Sequence, residues 1–185
     1  FPVAFRQVFN FSEEQLKVER WQFVADTSEA LLINFTIQNT SDQPQKIGLH
    51  FSIFSDLRPT WLGERTNMED GKDVAAIQHG KVLFKDSLNS WFAMIGSDQK
   101  AVKTTKIPTK YKGKGVGIKM DYEWEIPAKT TKNIQFYLSG SNVSERELQQ
   151  NYRRFRQNLF QEIKSKISKF EHLGELSRLQ IPDKN

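Results

Sequence analysis

Carboxylates are the residues of this sequence that could carry acid–base chemistry. Four of them fall in one loop region: Asp56, Glu64, Asp70 and Asp73. A glycosidase needs two such groups, one as general acid and one as base or nucleophile. Arginine and lysine side chains lie among them, however, and loop carboxylates beside cations more often form surface ion pairs. We therefore predict that this chain carries no catalytic pair.

Histidine, cysteine and glycine patterns give no sign of a metal or cofactor site. The histidines His50, His79 and His172 fall in different predicted elements and lack the spacing of metal ligands. The sequence has no cysteine, which excludes disulfides and a thiol nucleophile. The run 113–117 (GKGVG) lacks Gly-Lys-Ser/Thr and precedes a strand pattern, so it predicts a hairpin entry and not a phosphate cradle. We predict no metal and no cofactor.

A loop punctuated by proline and glycine follows the first clear strands. Residues 55–65 (SDLRPTWLGER) combine a tryptophan with two arginines and two carboxylates. Trp61 could stack on a sugar ring, dock into a neighbouring domain or cap the open end of its own β-domain, and capping is at least as common. The residues through which this loop could bind a partner are Asp56, Arg58, Trp61, Glu64 and Arg65.

The composition is that of a folded chain without a membrane span. Its 185 residues are 37% hydrophobic and 12% aromatic, which suits one domain or one domain with an appendage. No run approaches the roughly 20 apolar residues of a membrane-spanning helix, so we expect a soluble protein. The sequence begins at Phe1, which predicts a mature form or a fragment of a longer protein. Absence of cysteine fits reducing and oxidising compartments alike, and a periplasmic or secreted location is one option.

A net charge of +5 raises the question of a nucleic-acid partner. The positive excess is concentrated at residues 100–119 and in the C-terminal helical pattern. The first cluster contains only Tyr111 for base stacking, whereas single-strand binders interleave several aromatic residues. We therefore rank nucleic-acid binding last among the possible functions.

Alternating hydrophobic residues predict a mainly β fold. Apolar and polar residues alternate over 31–37 and 47–53, and the polar segment 39–45 between them predicts an antiparallel hairpin. Segments 118–126 and 134–138 predict a second hairpin in the same way. Shorter candidate strands lie at 3–11, 16–24, 74–79, 81–85, 91–95 and 102–107. Many short strands without helical patterns between them favour an antiparallel β-sandwich.

A long amphipathic helix is predicted after the strands. Ser144 and Glu147 have the spacing of a capping box. An apolar stripe then recurs at steps of three and four: Leu148, Tyr152, Phe155, Leu159, Ile163, Ile167 and Phe170. The stripe would run for roughly 40 Å at 1.5 Å per residue, about the full width of a domain of this size. We predict that Phe155, Leu159 and Ile163 pack partly against the sandwich and partly against another domain.

These patterns divide the chain into a β-sandwich domain over residues 1–141 and a helical linker over 142–185. Pro182 would stop any helix just before the sequence ends. The linker is therefore predicted to lead to a downstream domain.

The sequence NFTIQNTSDQPQKIGLHFSIFSDLRPTWLGE (residues 34–64), the long helix and the closing LSRLQIPDKN together carry a resemblance. They resemble the N-terminal β-sandwich domain, or supersandwich, and helical linker of glycosidases of the glycogen-debranching and glucoamylase type. In that family the sandwich precedes an (α/α)6 catalytic barrel that holds the acid and base. The resemblance thus implies a non-catalytic portion of an enzyme acting on α-glucan-like oligosaccharides, with the barrel as partner and no catalytic residue of its own.

The resemblance also implies a role for the loop 55–65. Its five residues Asp56, Arg58, Trp61, Glu64 and Arg65 would face the barrel and help shape the substrate rim.

Two other functions stay open. A stand-alone carbohydrate-binding or protein-interaction sandwich would bind its ligand without a partner domain, and a nucleic-acid-binding module would use the basic segment 100–119.

Overall fold

The computed structural model describes residues 3–59, 68–109 and 113–176, which form ten β-strands and one long helix. The strands are β1 (Phe5–Phe11), β2 (Leu16–Val24), β3 (Ala30–Asn39), β4 (Gln45–Phe54), β5 (Asp73–Gln78), β6 (Lys81–Asp86), β7 (Phe92–Ser97), β8 (Lys103–Ile107), β9 (Gly117–Ile126) and β10 (Thr131–Ser141). The helix α1 spans Glu145–Leu176. The mainly β fold class with a long C-terminal helix, predicted from the alternation, is confirmed.

The strands form two antiparallel sheets. The larger sheet has seven strands in the order β1-β2-β3-β10-β7-β6-β5, and the smaller has three in the order β4-β9-β8. Helix α1 packs on β10, β7 and β3, on the face of the larger sheet that points away from the smaller one. The molecule therefore has three layers, in the order small sheet, large sheet, helix.

Both predicted hairpins are wrong. Strand β3 pairs with β2 and β10 in the large sheet, whereas β4 pairs with β9 in the small sheet. Strands β9 and β10 are likewise split between the sheets. The alternation locates the strands correctly, but it indicates only which face of a strand is apolar. It is the same whether the next strand is a hydrogen-bonded neighbour or lies across the core.

Two loops pass between the sheets, the β3–β4 loop and the β9–β10 loop, and Asn39 joins them. Its side chain is fully buried, and Nδ2 donates to the carbonyl oxygens of Gln43 at 2.8 Å and Ile126 at 3.0 Å. Its Oδ1 accepts from the backbone N–H and the hydroxyl of Ser41, at 2.9 and 2.7 Å. One side chain thus joins the β3–β4 loop to the end of β9, at the point where the chain passes between sheets.

The core between the sheets is rich in aromatic rings. Phe136 on β10 stacks on Phe51 of β4 with ring centroids 3.9 Å apart, and it meets Tyr122 of β9 edge to face at 5.6 Å. Ile118 and Ile134 on the facing strands are fully buried. Burial of these side chains, at about 1.5–3 kcal/mol each, is the main term that holds the two sheets together.

The large sheet is also buried on its second face. Leu32 falls at a position that the alternation over 31–37 assigns to the polar side of β3, between Leu31 and Ile33, yet it is fully buried against the helix. Phe23, Met94 and Tyr137 lie in the same cluster beneath α1. The centre of the sheet therefore has a core on both sides, because the helix covers what would otherwise be a solvent face.

The start of α1 follows the predicted capping box in one of its two bonds. The Glu147 N–H donates to Ser144 Oγ at 3.1 Å, as predicted. The Glu147 carboxylate does not return to the Ser144 N–H but accepts from the Ser141 hydroxyl at 2.7 Å. Ser141 Oγ in turn accepts from the Ser144 N–H at 3.3 Å, so the last residue of β10 completes the cap.

Candidate functional site

Four segments meet at one end of the sandwich. These are residues 55–59, 68–73, 86–89 and 113–116, which we call the loop end. The Asp73 N–H donates to the carbonyl of Lys114 at 2.9 Å, and the Asn89 side-chain amide donates to the carbonyl of Glu69 at 2.9 Å. Hydrogen bonds to backbone carbonyls between segments distant in sequence give this end a fixed shape.

An exposed ion pair lies on the loop end. Arg58 Nε is 3.2 Å from Asp56 Oδ2, and the arginine side chain is 60% exposed. A pair this exposed contributes at most about 1 kcal/mol to stability, so a ligand or partner domain could rearrange it at little cost. Of the five predicted loop residues these two are brought together, whereas Trp61, Glu64 and Arg65 lie outside the described residues.

Two buried aspartates support this surface from below. Asp73 is 4% exposed and its Oδ2 accepts the Leu57 N–H at 3.0 Å, which fixes the backbone beside Asp56. Burial raises the pKa of the Asp73 carboxyl, although the bond from Leu57 opposes the shift. Asp86, opposite Asp73 on the neighbouring strand, is fully buried.

Asp86 organises the turn that follows β6. Its Oδ1 accepts the N–H groups of Leu88 at 2.9 Å and Asn89 at 2.6 Å. A Cβ at Gly71 would lie 2.5 Å from Asp86 Oδ2, so only glycine fits against this carboxylate. Sequence reasoning missed Asp86. The signal that could have found it is the Asp-Ser-Leu-Asn run, which is typical of an Asx turn.

The predicted helix face lies against the large sheet. Phe155 is 1% exposed and stacks on Phe23, with ring centroids 6.4 Å apart. Leu159 and Ile163 are partly buried against the same cluster. Phe160, on another face of the helix, is 74% exposed. A further domain could contact only what is left uncovered, and that contact stays a prediction.

Apart from the aspartates of the loop end, metal-binding and acid–base side chains do not cluster in the described ranges. No three His, Cys, Asp or Glu residues there are placed to hold a metal ion. His50 Nδ1 lies 2.6 Å from Asp121 Oδ1 on the outer face of the small sheet, and this hydrogen bond lowers the pKa of Asp121. Within the same ranges, no helix has the length and apolar character needed to cross a membrane.

Comparison with known proteins shows similarity in structure only. No family model matches the sequence, and no curated protein matches it. A protein described as a kojibiose phosphorylase from the human microbiome superposes with a TM-score of 0.63 at 12% identity, over 92% of this chain and 23% of that one. A protein described as an aldose 1-epimerase from Escherichia coli K12 superposes with a TM-score of 0.58 at 8% identity, over 77% of this chain and 67% of that one.

A galactose mutarotase related enzyme from Lactobacillus acidophilus gives a TM-score of 0.57 at 10% identity, over 78% of this chain and 70% of that one. All three proteins are named for sugar chemistry, and at these identities the comparison shows a shared β-sandwich fold. This chain spans about a quarter of the length of the phosphorylase.

Proposed function

We propose that this chain is a non-catalytic N-terminal accessory domain of a glycoside hydrolase that acts on α-glucan-like oligosaccharides. It would pack on an (α/α)6 catalytic barrel and help to shape the substrate rim. The observation that carries the proposal is the match to a protein named as a sugar phosphorylase, in which nearly all of this chain corresponds to a minor part of a much longer chain.

The length of that match supports an accessory domain more than a stand-alone sugar enzyme. A share of 92% of 185 residues is about 170, whereas the strands and their loops end before Glu145. The correspondence with the phosphorylase must therefore include much of α1 as well as the sandwich. The matches to the epimerase and mutarotase proteins cover 77% and 78% of the chain, which the sandwich alone can supply.

The loop end is the surface we assign to the substrate rim. The exposed pair of Arg58 and Asp56 offers charged hydrogen-bonding groups of both signs, which suit sugar hydroxyls. The buried Asp73 holds the adjoining backbone rigid. The carboxylates beneath the surface already bond backbone N–H groups, which supports a positioning role and not a catalytic one.

The test begins with the native polypeptide. Its length is measured by intact mass, and the full-length enzyme is assayed on α-glucan oligosaccharides with and without inorganic phosphate. We expect several hundred further residues and hydrolysis. Phosphate-dependent cleavage would instead identify a phosphorylase, the second candidate, which the name of the matched protein favours. A polypeptide that ends near Asn185 would contradict both.

The assignment of the loop end to the substrate rim is tested with a variant of the full-length enzyme. Arg58→Ala should raise KM for long oligosaccharides several-fold and leave the melting temperature unchanged, because the ion pair is exposed. Lys132→Ala, on β10 away from the loop end, is the matched control.

The two other functions have tests of their own. If the isolated 185-residue chain bound glucans in a calorimeter as tightly as the full-length enzyme, it would be a carbohydrate-binding module. Binding to DNA that weakens steeply with salt would indicate the nucleic-acid function.

A further inference from the structure

The small sheet covers only part of the large one. Strand β4, at the edge of the small sheet, lies over β3 and β10, as the ring contacts of Phe51 with Phe35 and Phe136 show. Strands β1 and β2 extend beyond β4 by about 10 Å, at roughly 4.8 Å per strand. We call their inner face the shelf. Among the described residues no strand covers it.

The space between the shelf and β4 is an apolar groove with a volume of about 430 Å³. Its walls include Phe9, Phe11, Leu16 and Val18 from the shelf, and Ile47 and Leu49 from β4. Phe9 is 42% exposed and Phe11 is 44% exposed. Ile47 faces the groove, and Leu49 belongs both to the groove and to the core between the sheets. The groove is thus an open continuation of an interface that is already formed.

Strand β4 presents a free backbone edge along this groove. The Ser55 N–H donates to the Val116 carbonyl at 3.0 Å, so odd-numbered residues of β4 bond to β9. In an antiparallel ladder the even-numbered residues then point their N–H and C=O groups the other way. These are Lys46, Gly48, His50 and Ser52, and β9 is the only strand that pairs with β4 in the described part of the chain.

Arg20 adds a charged donor to the groove. Its Nη2 donates to Gln7 Oε1 at 2.5 Å, but its Nε is buried without a hydrogen-bond partner. A buried N–H of a guanidinium costs free energy unless an acceptor reaches it. An occupant with a carbonyl or carboxylate oxygen at this position would satisfy it.

We propose that a single extended strand occupies the groove by pairing with the free edge of β4. Apolar side chains at alternate positions would lie on the shelf, and an acceptor would reach Arg20. We assign this strand to the part of the enzyme outside residues 1–185, and this assignment rests on the proposed function. The uncovered shelf is about two strands wide, so a single strand paired with β4 fits with its side chains on the shelf, whereas a folded neighbour does not fit.

A second copy of this chain is a poor occupant for a geometric reason. Two β4 edges joined by a twofold axis form a continuous sheet and place both large sheets on the same side of it. The shelf of each copy would then occupy the space of the other. An isolated strand meets no such obstacle and completes the hydrogen bonds of the edge.

The experiment tethers such a strand to the chain. A nine-residue segment with valine at alternate positions, and threonine or lysine between, is joined to the N-terminus by a flexible glycine–serine linker, which gives millimolar effective concentration. The matched control has the same composition in scrambled order. Amide hydrogen exchange is then compared at Gly48, His50 and Ser52, with Thr104 and Lys106 on β8, the other edge of the small sheet, as internal reference.

We expect at least tenfold slower exchange at the three β4 amides with the alternating tether, and no change with the scrambled tether or at β8. Equal exchange with both tethers would overturn the proposal. So would a dimer in sedimentation that protects the same amides without any tether, since the occupant would then be a second copy. The readout involves no sugar, so this result and the assignment to a carbohydrate-active enzyme can fail independently.

Discussion

At the residue scale, a few buried polar groups decide how the strands are connected. Asn39 is the main case, because both of its side-chain functions are saturated by backbone or hydroxyl partners in two loops. An amide supplies donors and an acceptor at once, which a carboxylate cannot do. The spacing of hydrophobic residues gave no indication of this role.

We predict that Asn39→Asp destabilises the protein by about 2–3 kcal/mol. The new carboxylate would face the carbonyl oxygens of Gln43 and Ile126, which now accept from Nδ2. Urea unfolding followed by tryptophan fluorescence measures the change. Asn10→Asp, at an exposed position of β1, is the control and should change stability by less than about 0.5 kcal/mol.

A second residue-scale feature is the contact between Gly96 and Tyr152. A Cβ at Gly96 would overlap the Tyr152 hydroxyl oxygen, whereas the ring carbon Cζ would be 3.3 Å away. The hydroxyl is buried and has no hydrogen-bond partner in the described part of the chain. Lys81 Cγ, at 3.0 Å, belongs to a flexible side chain that can move, so the tyrosine oxygen is the main obstacle to a larger residue and backbone conformation is not.

Gly96→Ala should cost about 1–3 kcal/mol through overpacking. Tyr152→Phe alone should be nearly neutral, since it removes a buried hydroxyl that has no partner. The double variant should regain most of the loss, because the overlapping oxygen is gone. A double-mutant cycle by thermal unfolding gives the coupling energy, and simple additivity of the two changes would contradict this account.

At the element scale, α1 is docked along one side and free along another. Its early turns bury Leu148, Tyr152 and Phe155. Farther along, Lys166 and Lys169 each form an ion pair of 2.9 Å with Asp26 in the β2–β3 loop. These bonds lower the pKa of Asp26, the bond from Lys169 more than that from Lys166. Apolar packing thus holds the first half of the helix, and ion pairs of Asp26 with the largely buried Lys166 and the exposed Lys169 tie the second half to the sandwich.

We predict that two phenylalanines five residues apart on α1 contribute very differently to the stability of the protein. Phe155→Ala should destabilise the protein by about 3–5 kcal/mol, because the ring is buried between Phe23 and Tyr137. Phe160→Ala should change stability little, because its side chain is largely exposed. Chemical unfolding of both variants tests this. In the longer protein proposed above, a marked loss of stability for Phe160→Ala would show that another domain covers this side chain.

At the scale of the whole molecule, the three layers leave tyrosines in both cores. Burial raises the pKa of Tyr122 and Tyr137, and it raises that of Tyr152 to about 12. In the unfolded chain a tyrosine titrates near 10. The unfolded state therefore loses its protons first as the pH rises, and stability that is complete below about pH 10 falls as the pH approaches 12.

The free energy of unfolding should consequently fall less steeply with rising pH in the Tyr152→Phe variant than in the wild type. The wild type should lose stability between about pH 10 and 12, and the variant should lose less over that interval because one titrating group is absent. Denaturation midpoints measured from pH 8 to 11.5 make the comparison. Parallel curves for the two proteins would show that Tyr152 titrates normally in the folded state.

The sequence by itself determined the local features of this protein. The period-two alternation predicted the strands, and the three-and-four spacing after Ser144 predicted the helix and the side that buries Phe155. The resemblance implied a β-sandwich, and the structural comparison finds the β-sandwich fold without identifying a family. All of these depend on neighbours in the chain or on overall pattern, which one sequence contains.

Only the tertiary structure decided how the strands associate. The same alternation suits a hairpin and a crossing between sheets, and the choice lies in contacts such as Asn39 with Ile126, which are 87 residues apart. The supporting role of Asp86 and the uncovered groove beside β4 also depend on which segments meet. Side-chain burial patterns specify which face of each element is apolar, but long-range hydrogen bonds and packing select its partner.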